Sequence, residues 1–338
     1  MGGLPTIIGV FVLSGLVIAV VGTWLTRLAD DIADQTGIGE AMTGAILLGA
    51  TTSLGGSVTS ISTAYEGLTD LAISNAIGGI AAQTAFLAVA DICYRRANLE
   101  HAAASLENLL QGTLLIALLS IPLFAWAVPD QTLFGVSLFS PVIVLFYVFA
   151  NRLIVEAKHH PMWTPRVTEE TQREHQGRTP PGTSTRKLLA YFAVAAGLAG
   201  GTGYLLGQSG AALSIETGIS QTAVGGVMTS VMTSMPELVV SIAAVRRGAL
   251  NLAVGGIIGG NAFDVMFLVL SDVAYLQGSI YQAMQPIHIL TLSASILMSA
   301  ILLMGLLKRE RTGPGRIGFE SSLILAIYAA TALLLASS

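Results

Sequence analysis

Residues 250–275 read LNLAVGGIIGGNAFDVMFLVLSDVAY, and residues 69–94 read TDLAISNAIGGIAAQTAFLAVADICY. Each is long enough to cross the hydrocarbon core of a bilayer as a helix, which takes about 20 predominantly apolar residues. Laid over one another, they pair Ile77-Gly78-Gly79 with Ile258-Gly259-Gly260, Phe86-Leu87 with Phe267-Leu268, Asp91 with Asp272 and Tyr94 with Tyr275, all at one ungapped offset of 181. The register runs on outward. Thr36-Gly37-Ile38 pairs with Thr217-Gly218-Ile219, Thr52-Ser53 with Thr233-Ser234, Ser60-Ile61 with Ser241-Ile242, and Gly67 with Gly248. A self-match held at one offset marks a single unit used twice.

Composition agrees with a lipid environment. Of 338 residues, 53% are hydrophobic and 11% charged, against about 25% charged in soluble domains, and the mean hydropathy is +0.73. A net charge of −4 without a basic stripe excludes a nucleic-acid partner. The 37 glycines have no triplet period, which excludes collagen. Cys93 is the single cysteine and has no intramolecular disulfide partner. Ten apolar segments are expected to span, near 5–28, 41–65, 68–94, 106–127, 132–151, 187–209, 220–245, 249–276, 285–307 and 317–336. The first lacks a basic leader and is too long for a cleaved signal peptide. The Met1-Gly2 start with Thr6 is read as a chance match to the myristoylation pattern.

The basic residues orient the spans, because cytoplasmic loops hold the excess of Lys and Arg. All 16 fall on one side: Arg27, Arg95 and Arg96, the group from Arg152 to Lys187, Arg246 and Arg247, and the group from Lys308 to Arg316. Ten spans then put both termini outside. The expected fold is an all-α membrane protein of ten transmembrane helices, with a five-helix unit at 1–151, a cytoplasmic linker at 152–186 and a second unit at 187–338. The linker carries Pro161, Pro165, Pro180 and Pro181, and its His159 and His160 read as a solvated pair. Because five is odd, the second unit enters from the opposite side. Such inverted repeats are typical of secondary transporters, with the site near the midplane.

Polar residues gather mid-span. Spans 2 and 7 carry Thr51-Thr52-Ser53-Leu54-Gly55-Gly56 and Thr233-Ser234-Met235-Pro236-Glu237; spans 3 and 8 carry Gly78-Gly79 with Gln83, and Gly259-Gly260-Asn261 with Asp264. Pro236 has no N–H to donate, so it frees carbonyls near Met232 and Thr233. Unpaired carbonyls at membrane depth persist where they line a cavity or meet a ligand, and hard cations want oxygen. A carboxylate at a helix centre costs about 2.5–3.5 kcal/mol on insertion scales. Glu237 and Asp264 have no Lys or Arg within the spans to offset that cost, which points to a bound cation. The bland reading keeps both protonated as packing groups.

At these residues the chain resembles the sodium/calcium exchanger superfamily. Thr233-Ser234-Met235-Pro236-Glu237, then Gly248, then Gly255-Gly256-Ile257-Ile258-Gly259-Gly260-Asn261 is similar to that family's signature repeat. The resemblance implies a cation antiporter of the cell membrane, not an enzyme, with no cofactor and with Ca2+ and Na+ or H+ as transported ligands. Its cation ligands, carried over residue by residue, are Thr233, Ser234, Glu237 and Asp264 in the second unit and Thr52, Ser53 and Gln83 in the first. The first unit departs from the pattern, with Gly55-Gly56 where the family has Pro-Glu, and Gly79 and Gly260 stand where it has a serine. One carboxylate and two hydroxyls are thereby missing. Three central carboxylates would suit three Na+ against one Ca2+; two suit loads of about +2 on each leg.

Asp91 and Asp272 fall near opposite span ends, where they either line access paths or cap helices. His288 reads as an interfacial residue. Two alternatives of other classes remain. One is a cation channel or non-transporting sensor on the same scaffold. The other is an intramembrane serine protease, because Gly207-Gln208-Ser209-Gly210 matches a nucleophile motif, with Ser209 expected in an outer loop and His288 in a later span.

Overall fold

The computed structural model describes residues 3–36, 49–94, 97–166, 168, 184–313 and 317–337. In chain order the helices are α1 Leu4–Thr36, α2 Leu54–Tyr65, α3 Thr69–Cys93, the short α4 Leu99–Ala102, α5 Leu106–Ala127, α6 Phe139–His159, α7 Thr185–Thr217, α8 Gln221–Thr233, α9 Met235–Arg247, α10 Leu250–Ala274, α11 Pro286–Lys308 and α12 Phe319–Ala336. A two-residue hairpin, β1 Thr132–Leu133 against β2 Val136–Ser137, precedes α6. Among the described residues, eight helices are long and apolar enough to cross a membrane, and α8 with α9 makes a ninth crossing bent by 42°.

The expected span at 41–65 lies partly outside the described residues, as do Gly37-Ile38, Met1-Gly2, Arg95, Arg96, Arg316 and most of the linker. Three expected boundaries are corrected. The fifth span starts at Phe139, not 132, because the β1–β2 hairpin takes up the preceding residues, and it runs through Arg152 to His159. The first and sixth run on as 33-residue helices, α1 and α7. No proline interrupts either helix past Ala29 or Ser209, and Gly210 is accommodated within α7. Gly218 ends α7 in the left-handed conformation at φ 74°. Ser209 is therefore buried within α7 and not in an outer loop.

The core is centred on α3 and α10, which are the most enclosed of the spans. Runs of Ala and Gly around α3 let α2, α8, α9, α10, α11 and α12 all pack against it. Helices α1 and α7 lie along one another and meet the rest through α2, α8 and α9. The closest approaches recur at the same offset. A Cβ on Gly22 would overlap the Pro236 ring, and a Cβ on Gly203 would overlap the backbone of Gly55, the residue 181 positions before Pro236. Glycine is required at both.

The two aspartates cap, and they do so in register. Asp272 accepts from Ile280 N–H at 2.9 Å, Ser137 N–H at 2.8 Å and Ser140 Oγ at 2.7 Å. Asp91 accepts from Leu99 N–H at 2.6 Å and Gly318 N–H at 3.3 Å, and lies against the Ser321 hydroxyl. Each donor is the 181-residue equivalent of its counterpart. Asp91 thus ties α3 to the start of α12, and Asp272 ties α10 to the start of α6. Substituting Asp272 by Ala strands three buried donors, each worth roughly 1 kcal/mol or more. We expect thermal unfolding in detergent to register a loss of about 3 kcal/mol; a variant melting with the unmodified protein contradicts the clasp.

Candidate cation site

Both polar segments break their helices at the same residue of the repeat. Ser234 separates α8 from α9 with φ −93° and ψ 3°, and Ser53 precedes α2 with φ −90° and ψ 6°. Pro236 accounts for the second break. The first forms at Ser53 without a proline, since Gly55 stands at the position equivalent to Pro236. Within α8, Val224–Thr229 is a π-helical turn, a local widening that often marks functional segments. Its Gly225 and Gly226 lay the backbone of α8 directly against Leu71 and Gly78 of α3.

Of the seven residues expected at the site, Thr52, Ser53, Gln83, Ser234, Glu237 and Asp264 come together there, while the Thr233 hydroxyl turns to other partners. Gln83 Nε2 donates to Asp264 Oδ2 at 2.6 Å and lies 3.3 Å from Ser234 Oγ. Gln83 and Asp264 are repeat equivalents, so α3 and α10 meet at the position that relates the two units. Ser53 Oγ donates to Glu237 Oε1 at 3.3 Å, and the Thr52 hydroxyl also reaches that carboxylate. Ser53 further lies against Asp264, the counterpart of the Ser234–Gln83 contact. The Thr233 hydroxyl turns to Asn75 Oδ1 at 3.4 Å and to the Ser230 carbonyl at 3.1 Å.

Glu237 is 4% exposed, Asp264 1% and Gln83 1%. Four buried oxygens around them, Glu237 Oε2, Asp264 Oδ1, Gln83 Oε1 and Asn261 Oδ1, have no hydrogen-bond partner among the described residues. Buried polar atoms in folded proteins are nearly always paired. Acceptor oxygens left over beside two carboxylates form a donor set suited to a hard cation.

Asn75 and Asn261 belong to the same network without having been assigned to the site. Asn75 donates to the Gly56 carbonyl at 3.2 Å and to Ser60 Oγ at 2.9 Å, and Asn261 donates to Thr84 Oγ1 at 2.9 Å. Helical spacing carried the signal, since Asn261 lies one turn before Asp264 and Asn75 two turns before Gln83. The Ser209 hydroxyl donates to the carbonyls of Leu205 and Leu206 inside α7. His288 is fully buried in the first turn of α11, where it accepts from Gln285 N–H.

The family profile described as sodium/calcium exchanger protein matches residues 6–154 and 187–336. The putative antiporter CaxA of Alkalimonas amylolytica is 27% identical over 263 residues, covering 76% of this chain and 77% of that protein. Two solved structures share the fold. The H+/Ca2+ exchanger CAX superposes with a TM-score of 0.65 at 14% identity, over 98% of this chain and 85% of its own. The sodium-calcium exchanger NCX_Mj gives 0.58 at 17%, over 96% and 97%.

Proposed function

This chain belongs to the sodium/calcium exchanger protein family, and on that premise we propose that it is a secondary active antiporter moving Ca2+ against Na+ or H+. Its cation site is built by Thr52, Ser53, Gln83, Thr233, Ser234, Glu237 and Asp264. The observation that carries this reading is the pair of buried carboxylates, each keeping one oxygen without a hydrogen-bond partner among the described residues. Ten spans, counting the one that lies partly outside the described residues, then form two inverted five-helix units, joined by the polar segment between α6 and α7. Both termini lie outside the cell membrane and the basic loops inside. The test is labelled Ca2+ uptake into proteoliposomes under an imposed Na+ or pH gradient. An exchanger accumulates Ca2+ above equilibrium at the expense of that gradient, whereas a channel only lets it equilibrate.

Access alternates as α1 and α7 slide over the rest. Support comes from their mutual packing and from the small-residue contacts they make with α2, α8 and α9. Gly15 faces Met232, Gly22 Pro236, Gly203 Gly55, Gly207 Thr63 and Gly210 Thr229, whereas Gly9, Gly197 and Gly201 face open space and are not part of that surface. Close backbone approach keeps sliding inexpensive. Single cysteines placed along the inner faces of α1 and α7 are expected to change their reactivity with a water-soluble thiol reagent by several-fold when the ion gradient is reversed. Unchanged reactivity on both helices rejects the sliding pair.

A further inference from the structure

The end of the molecule that carries the basic residues holds three carboxyl groups that the central site does not use. Asp91 ends α3, Glu100 lies in α4 and Glu320 opens α12; they are 0%, 1% and 0% exposed. The repeat supplies an internal control at the other end. The equivalents of Asp91, Glu100 and Glu320 are Asp272, Tyr281 and Phe139, and Ser140 Oγ lies 3.1 Å from Tyr281 Oη. The same clasp is thus built with one carboxylate, one phenol and one phenyl ring. Packing does not require the two extra acids.

Their hydrogen bonding is incomplete. Ser321 Oγ donates to Glu100 Oε1 at 3.2 Å and also faces Asp91, but it has only one proton to give. Among the described residues, Glu100 Oε2 and both Glu320 carboxyl oxygens meet no donor group, and the two glutamate carboxyls face each other. Glycines cradle Glu320: a Cβ at Gly318 would lie 2.6 Å from its Oε1, and one at Gly305 would lie 2.7 Å from its Cγ.

Lys308 and Arg309 on the surrounding elements are engaged elsewhere, and Glu310 shares the sign of the cluster. Lys308 lies over the Phe319 ring and beside Glu310. The Arg309 guanidinium donates to the carbonyls of His101 and Arg166, and His101 Nδ1 lies 2.7 Å from the Arg309 carbonyl. Glu310 adds negative charge facing Glu320. Arg311 shares this loop, and its carbonyl accepts from Asn98 N–H. Arg95, Arg96 and Arg316 adjoin these elements in sequence and lie outside the described residues. No group of three or more acidic, His or Cys side chains is arranged to hold a metal ion among the described residues.

We propose that Glu100 and Glu320, beside Asp91, form a second ligand site whose ligand is the proton, shared between the two glutamates and released as the pH on the basic face rises. Ionisation then sets three like charges together and loosens the join between α4 and the start of α12. Exchange therefore depends on the pH of that face, a clause that rests on the antiport reading above. Burial first, and then the charges of Asp91 and Glu320, hold the Glu100 carboxyl well above the usual carboxylate range. An acid held protonated in the fold stabilises at low pH, and that contribution is lost as pH rises above the ordinary glutamate value of ~4.3 toward the raised one.

The test uses the full chain in detergent with Glu100→Gln, Glu320→Gln and Glu100→Tyr, the last copying Tyr281. Melting temperatures of the variants should match the unmodified protein near pH 5 and exceed it by several degrees near pH 8, whereas Glu156→Gln, at an exposed acid near the end of α6, should not separate the curves. A difference that does not change with pH overturns proton binding. In proteoliposomes the same variants should shift the pH dependence of exchange on the basic face alone, by about one unit or more. Unshifted dependence overturns the regulatory clause. Absence of any exchange by the unmodified protein counts against the antiport reading instead, and the melting curves still decide the proton site.

Discussion

Glu237→Gln and Asp264→Asn are each expected to lower Ca2+ exchange by more than about 100-fold while the protein stays folded, because a carboxylate oxygen is the strongest ligand such a site offers a hard cation. Both changes keep the side-chain volume, so packing around α9 and α10 is unaltered. The amide carbonyl can still accept from Ser53 at position 237 and from Gln83 at position 264. Only the charge is removed, along with an oxygen that no group among the described residues pairs. A binding measurement separates loss of the site from loss of the fold. Ca2+ at about 100 times its dissociation constant stabilises the native state by roughly 2.7 kcal/mol, so it should raise the melting temperature of the unmodified protein by several degrees and leave both variants unmoved. Without Ca2+ the variants should melt no lower than the unmodified protein. Exchange or Ca2+ protection retained by either folded variant removes that carboxylate from the site.

The offset of 181 was the most informative feature of the sequence, and its reach extends to single contacts. It brings Gln83 to Asp264 across the centre, aligns the helix breaks at Ser53 and Ser234, and pairs every donor to Asp91 with one to Asp272. The aspartates themselves were ambiguous in the sequence, because capping depends on which backbone N–H groups arrive from other spans. Helix ends were poorly legible where the helix runs on past its most apolar stretch without a proline, as in α1 and α7. The π-helical turn in α8 had no sequence signal beyond Gly225-Gly226, since it arises from the approach of α8 to α3. Asn75 was visible as a polar residue in an apolar helix, but its grip on the Gly56 carbonyl follows only from the packing of α2.

The least legible residue is Phe267, an apolar side chain in an apolar span, and it decides what the missing carboxylate at Gly56 means. A Cβ on Gly56 would lie 2.9 Å from the edge of the Phe267 ring and 3.3 Å from Thr233 Cβ. The ring is 3% exposed and held edge-on by Phe263, with centroids 6.5 Å apart. Glycine at 56 and phenylalanine at 267 therefore fill one space together, and the ring stands where a third carboxylate would begin. With two carboxylates at the centre, an uncompensated charge in a low-dielectric site is costly, and loads of about +2 on each leg are favoured. Exchange by the unmodified protein is thus expected to be close to electroneutral. In proteoliposomes clamped at different potentials, its flux ratio should stay nearly constant. One net charge per cycle would be worth about 2.3 kcal/mol per 100 mV, or roughly a 50-fold shift in the gradient sustained. Gly56→Glu alone should destabilise the protein and fail to strengthen Ca2+ binding, because the ring has nowhere to go. Gly56→Glu with Phe267→Ala vacates that space, adds the third negative charge, and should tighten divalent binding while making exchange voltage-dependent. A steep voltage dependence in the unmodified protein contradicts the charge count. Tighter binding from the single substitution would show that Phe267 is not the obstacle.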